Sequence, residues 1–137
     1  MQNIKGNGSN VKEANIYQSI VKYLSYAYPR VIFRFDFAAG MKMTKGQAIK
    51  HSLLNPHRGY PDLFICEARG DYHGLFLEIK RKGESPYLKD GQTLKKNIHL
   101  LEQSKILSTL QKKGYLAEFA VGFDECMEKI DNYLKLK

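Results

Sequence analysis

Residues 59–82 read GYPDLFICEARGDYHGLFLEIKRK, two hydrophobic runs split by a short turn-forming RGDYHG. Runs of this length, DLFICEA and GLFLEIKRK, have the character of strands, and a connection this short joins them as an antiparallel hairpin. Side chains two apart on a strand share a face. Phe76, Glu78 and Lys80 therefore point together, while Leu75, Leu77 and Ile79 point to the other side. On the preceding run Asp62 faces with Phe64 and Cys66. Antiparallel pairing sets the start of one strand beside the end of the other, so Asp62 is expected to approach Glu78 and Lys80.

Two carboxylates brought together repel, and one is normally driven to take a proton. A hard divalent cation removes that conflict, since Mg²⁺ takes oxygen ligands from one or two carboxylates plus a substrate phosphate. An amine beside them can stabilise developing negative charge or orient water. Metal plus lysine is a set suited to phosphodiester hydrolysis. Solvated charges at the ends of an ordinary hairpin would give the same letters, and ExK alone arises by chance in many strands. The preceding Gly-x-Pro-Asp is what gives it weight.

Around the hairpin the pattern alternates helix and strand. Ile16, Ile20, Leu24 and Tyr17, Val21, Tyr28 recur at three- and four-residue steps, predicting an amphipathic helix from Val11 to Tyr28 that Pro29 ends. In RVIFRFDFAA, Val31, Phe33, Phe35 and Phe37 point one way and Arg34 and Asp36 the other, a half-buried strand. Residues 40–58 are basic and irregular, with a short helix expected over 45–53. GESPYLKDGQ has loop composition. Residues 92–113 read as a helix closed by Gly114, YLAEFAVGF as a last strand and 124–135 as a last helix. Helix, three strands, helix, strand, helix is an α/β order. Residues 1–10, polar and glycine-rich, form a tail ahead of one domain spanning 11–137.

Composition bounds the function classes. A chain of 137 residues can bury roughly two-thirds of its unfolded surface. No apolar run reaches the ~20 residues needed to cross a bilayer, and the N-terminus lacks the apolar core of a signal peptide, so a cytoplasmic protein without membrane contact is expected. Cys66 and Cys126 form no CxxC pair and read as core thiols in a reducing compartment. His51, His57, His73 and His99 show no metal-type spacing. The net charge of +8, from 22 Lys+Arg against 14 Asp+Glu, suits a polyanion such as nucleic acid. Lys42, Lys45, Lys50, Arg58, Arg81, Lys82, Lys95 and Lys96 are the candidate phosphate contacts, each of which alone would pass for a solvated surface charge.

Two further polar residues fall on apolar helix faces. Glu13 leads Ile16, Tyr17, Ile20 and Leu24 by three, four, seven and eleven residues, and Gln103 sits among Leu100, Leu107 and Leu110. A carboxylate and an amide turned inward need partners. Glu13 could be a first-turn acid favoured by the helix dipole, and Gln103 a satisfied core amide. With Asp62, Glu78 and Lys80 in the same chain, convergence on one site is the better expectation.

These residues resemble a known family. GYPDLFI, GLFLEIKR and the glutamine-bearing segment EQSKILSTLQKKGYLAEFAVGFDECMEKIDNYL are similar to the VRR-NUC family of the PD-(D/E)xK nuclease superfamily. KEANIYQSIVKYLSYAYP looks like its first helix with the motif glutamate, and RFDFAAGMKMTKGQAIKHSLL like the segment before Gly-x-Pro-Asp. The resemblance runs from about Val11 to Leu134; the namesake Val-Arg-Arg is absent, and the chain reads IKRK beside its ExK. It implies a restriction-endonuclease-like α/β core, a mixed sheet flanked by helices, and a Mg²⁺- or Mn²⁺-dependent nuclease. Asp62, Glu78 and the Ile79 backbone carbonyl would be metal ligands, with Glu13 a further candidate. Lys80 would be the catalytic lysine, and Glu13 and Gln103 supporting residues.

A chain this short has little room for base readout, so cutting of branched DNA, at Holliday junctions or flaps, is expected before sequence-specific restriction. A basic DNA-binding module without catalysis is the third possibility, which anionic charge facing phosphate argues against. Resolving a four-way junction needs two symmetric cuts, hence a homodimer. Met41, Met43, Leu53, Leu54, Tyr87 and Leu88 either furnish its interface or complete the core. Such a small nuclease core suggests, by resemblance, a bacterial or phage-infected host.

Overall fold

In the computed structural model, residues 13–36 and 42–137 are described, with side chains in the first helix from Asn15 onward. The elements run α1 (Glu13–Ala27), β1 (Ile32–Phe35), α2 (Lys45–Leu54), β2 (Leu63–Cys66), β3 (Leu75–Lys80), α3 (Ile98–Lys112), β4 (Leu116–Val121) and α4 (Gly122–Leu134). The N-terminal tail, Phe37 and Met41 lie outside the described residues.

The four strands form one sheet in the order β1-β2-β3-β4. β1, β2 and β3 are antiparallel neighbours, and β4 runs parallel to β3, so the sheet is mixed. The parallel pair needs a crossover, and α3 supplies it. Alternation then sorts the side chains. Leu63, Ile65, Leu75, Leu77, Ile79 and Ala120 pack with Ile16, Ile20 and Leu24 of α1 and Cys126 and Ile130 of α4. Phe76, Ala117 and Phe119 meet Leu107 of α3 on the opposite face, with Phe64 packed alongside. β3 is thus covered on both sides and reads as a nearly continuous apolar run. Full burial of each Leu or Ile in β3 is worth roughly 1.5–3 kcal/mol.

The helix ends follow local chemistry. Thr44 and Gln47 form a capping box at α2, each side chain accepting from the other's backbone N–H. α3 starts at Ile98, six residues later than the pattern over 92–113 predicts. Asp90 ties down Gln92 and Thr93, Tyr87 bridges to Leu94, and Asn97 accepts from His99 and Leu100 as the true cap. α4 begins two residues earlier than expected, at Gly122, whose φ of +81° turns the chain directly out of β4.

Cys126 is buried as a core thiol should be, and burial pushes its pKa up to about 12. Cys66 corrects the expectation of two core thiols: it is exposed. It pairs with Ile32 at the end of the β1–β2 ladder, and Ile32 is itself 72% exposed. No helix among the described residues is long and apolar enough to cross a membrane.

Candidate active site

The β2–β3 register pairs Leu63 with Leu77, which carries Asp62 to the level of Glu78. Both carboxylates are buried, Asp62 at 9% and Glu78 at 4% exposure. Asp62 Oδ2 accepts the Ile79 backbone N–H at 2.8 Å, a bond that continues the hairpin one step beyond its last backbone pair. N–H and C=O of one strand residue point to the same side, so the Ile79 carbonyl is turned toward the same edge.

Lys80 and Gln103 complete the cluster. Gln103 Nε2 donates to Glu78 Oε1 at 3.0 Å, while its Oε1 accepts from Lys80 Nζ at 2.8 Å. Lys80 Nζ also lies 3.6 Å from Glu78 Oε1 and 6.0 Å from the centre of the Phe119 ring. One amide therefore ties an acid and an amine two residues apart on β3 to the helix above them. The inward-facing glutamine has both of its polar ends engaged. The partly buried Lys80 amine is thus held between a carboxylate and an amide oxygen.

Gly59 sets the height of that helix. Its φ is +79°, and a Cβ there would lie 2.7 Å from the Gln103 backbone nitrogen and from the Glu102 carbonyl carbon. The loop entering Asp62 thus touches the α3 backbone at the residue that grips Glu78 and Lys80. Pro61 is fully buried between Gly59 and Asp62's strand, and Tyr60 stands edge-on to Phe76 at 5.8 Å. Burial raises the Tyr60 pKa, with the nearby Asp36 carboxylate adding to it.

A cavity of about 630 Å³ opens beside the carboxylates. Asp62, Glu78 and Gln103 line it, with Arg34, His51, Arg58, Tyr60 and His99 among the residues around them. β1 contributes through register: Arg34 pairs with Phe64, and the Asp36 N–H donates to the Asp62 carbonyl at 2.8 Å. α2 forms a wall, with His51 Nε2 3.6 Å from Asp36 Oδ1.

Of the eight basic candidates, only Arg58 lines the cavity. Lys45 and Lys50 are exposed on α2, the helix that also supplies His51 to it, and Lys42 just precedes them. Arg81 is engaged by Glu84 at 3.0 Å. Lys82, Lys95 and Lys96 are exposed elsewhere. Glu13 opens α1, but its side chain lies outside the described residues.

Arg34, His51, His57, Tyr60 and His99 went unassigned as site residues. Alternation along β1 signalled that Arg34 and Asp36 share a face; nothing signalled that this face carries Asp62. The histidines are too far apart in sequence for any spacing rule to join them.

The donor set suits a hard cation. Asp62 and Glu78 offer carboxylate oxygen at a buried floor that opens on a cavity, and Ile79 offers a carbonyl on the same edge. Among the described residues no cluster of three or more His, Cys, Asp and Glu side chains could hold a metal. Mg²⁺ does not require one, since it keeps several waters and needs one or two carboxylates.

No family model matches the chain, and no curated protein does. A solved structure does, described as a VRR_NUC domain protein: 27% identity, a TM-score of 0.62, and coverage of 93% of this chain and 91% of that one. That likeness, over nearly the full length of both chains and on a mixed sheet flanked by helices, supports assignment of this chain to the VRR-NUC family of nuclease-type domains.

Proposed function

We propose that the chain is a Mg²⁺- or Mn²⁺-dependent endonuclease that hydrolyses phosphodiester bonds in branched DNA. One observation carries this most: Gln103 hydrogen-bonds both Glu78 and Lys80, the Ile79 N–H holds Asp62 beside them, and Asp62, Glu78 and Gln103 line an open cavity. Asp62, Glu78 and the Ile79 carbonyl would hold the cation, with Glu13 a further candidate ligand. A divalent cation held there would lower the pKa of water and neutralise charge on the phosphate.

The chain's own groups do the rest. Lys80 presents an ammonium to the developing negative charge of the phosphoryl group, in a site where water screens it little. Gln103 fixes the direction of that ammonium and of Glu78 together, so neither has to reorganise as charge develops. Arg58, with Lys42, Lys45 and Lys50 on and before α2, would track the phosphate backbone. The superfamily resemblance implies 3′-hydroxyl and 5′-phosphate ends.

Symmetric cutting of a four-way junction would need a second copy. Leu53 and Leu54 stand exposed on α2, at 77% and 70%, and Leu88 is exposed too. Tyr87 instead packs edge-on to Phe119 and belongs to the core. The α2 leucines are therefore the natural contact of a homodimer.

Incubating the protein with labelled linear, flap and four-way DNA tests the proposal. Cutting of the branched substrates in Mg²⁺ or Mn²⁺, abolished by EDTA, is expected. Equal cutting of linear duplex would remove the branch selectivity, and cutting in EDTA would remove the metal.

A further inference from the structure

The cavity is larger and more varied in its lining than contact with a scissile phosphate requires. A duplex presents its phosphates on a convex surface with the bases paired inside, so two carboxylates could reach one from a shallow cleft. Here they lie at the floor of a recess of about 630 Å³, well within the ~300–1,000 Å³ of pockets that enclose small ligands. Its walls hold two guanidinium groups, Arg34 and Arg58, and the aromatic rings of Phe35, Phe64 and Tyr60, of which Tyr60 is the exposed one.

Tyr60 is the informative residue. It lies between Gly59, pressed on α3, and Pro61, fully buried, yet its own side chain remains 47% exposed. Its ring lies perpendicular to that of Phe76, at 88° with centroids 5.8 Å apart, and Phe76 is in turn stacked on Phe64 at 4.3 Å. The ring is thus braced by other rings and presents accessible surface to the cavity. A braced aromatic face next to cations is how proteins hold unpaired bases, because every base has a π-face to stack.

We infer that this cavity is a subsite for one unpaired nucleotide flanking the scissile phosphate, its base stacked on Tyr60 and its phosphate held by Arg34 and Arg58. This rests on the nuclease reading and deepens it, because the subsite makes unpaired nucleotides, as in flaps and open junction centres, the structural feature that is recognised. Continuous duplex cannot fill it without breaking a pair.

The experiment measures binding in Ca²⁺ by anisotropy, using a flap carrying 2-aminopurine at the unpaired position beside the branch, and blunt duplex for comparison. Tyr60→Leu should weaken flap binding roughly 5- to 150-fold, the loss expected for one base–aromatic stack, and change duplex binding less than twofold. Tyr60→Phe should restore it. The 2-aminopurine emission should be quenched in the wild-type complex and not in the Tyr60→Leu complex.

Arg34→Gln, at an exposed position, tests the phosphate half without touching the aromatic packing. It should lower the salt slope by about one on the flap and leave that on duplex unchanged. Equal losses on flap and duplex, or no loss on either, would overturn the subsite. Cleavage by the wild-type protein is scored separately: cutting with an indifferent Tyr60→Leu overturns the subsite alone. The predicted flap preference in a protein that cuts no DNA supports the subsite and overturns the nuclease reading.

Discussion

Gly59→Ala reaches the site without altering any group that touches substrate. The added Cβ would lie 2.7 Å from the Gln103 nitrogen, about 0.7 Å inside ordinary van der Waals contact. Backbone is what it strikes, so relief requires α3 and the loop into Asp62 to separate by about that distance. The bonds from Gln103 to Glu78 and Lys80 are 3.0 and 2.8 Å. Lengthened by roughly 0.7 Å, both reach or pass the limit of a useful hydrogen bond. Misplacement on this scale can cost about 10²-fold in rate, so single-turnover cleavage per folded molecule should fall roughly 10- to 100-fold. Positive φ alone also strains alanine, by about 1–2 kcal/mol. Gly83→Ala isolates that strain, because Gly83 has φ +88° and nothing within 4 Å of its Cβ position. It should lose stability and keep its rate. In a Gln103→Ala background Gly59→Ala should add little further loss, since both act through one amide. A Gly59→Ala protein with full rate per folded molecule, or a loss that adds in full to that of Gln103→Ala, would refute the coupling.

Three further outcomes follow from the same geometry. Of the two thiols, exposed Cys66 should react with a thiol reagent at neutral pH and Cys126 only on unfolding, since burial pushes the latter to about 12; rapid labelling of both would contradict the packing of α4. Tyr23 and Tyr28 both donate to Asp131, at 2.5 and 2.8 Å, and the bond to Asp131 lifts the Tyr23 pKa to about 12. A pKa raised above the ordinary 10 gives stability that is complete below pH 10 and lost as pH rises toward 12. Thermal melts should decline over that range, Tyr23→Phe should flatten the decline, and an identical decline in the variant would refute it. Pooled charge reversal of Lys42, Lys45 and Lys50 should weaken DNA affinity and lower its salt slope by about 0.9 per lost contact; an unchanged slope would move the DNA path away from α2.

Much of this arrangement was legible because alternation is local. The placement of Phe76, Glu78 and Lys80 on one face needed only period two, and the hairpin needed only a short turn. Asp62 beside Glu78 followed from antiparallel pairing. Gln103 was visible as an amide on an apolar helix face, a position that demands partners. What the letters withheld was register between distant segments. Arg34 reaches the cavity because β1 pairs with β2 residue by residue, and His99 because α3 lies over the Gly59 loop. Cys66 misled because an alternating run states which face a side chain takes, not whether a helix extends far enough to cover it. The start of α3 misled for a different reason: Asp90 and Asn97 compete for the backbone N–H groups that an earlier helix would have used.

The most direct measurement of the central claim is single-turnover cleavage of flap and four-way DNA in Mg²⁺ by the wild-type chain, Asp62→Ala, Glu78→Ala and Lys80→Ala, each paired with binding of the same DNA. The two carboxylate variants should lose cleavage while binding DNA as tightly or more tightly, because an anion facing phosphate has been removed. Lys80→Ala should lose turnover by about 10²-fold or more. Full metal-dependent cleavage by Asp62→Ala or Glu78→Ala would contradict the account and place the chemistry elsewhere in the molecule.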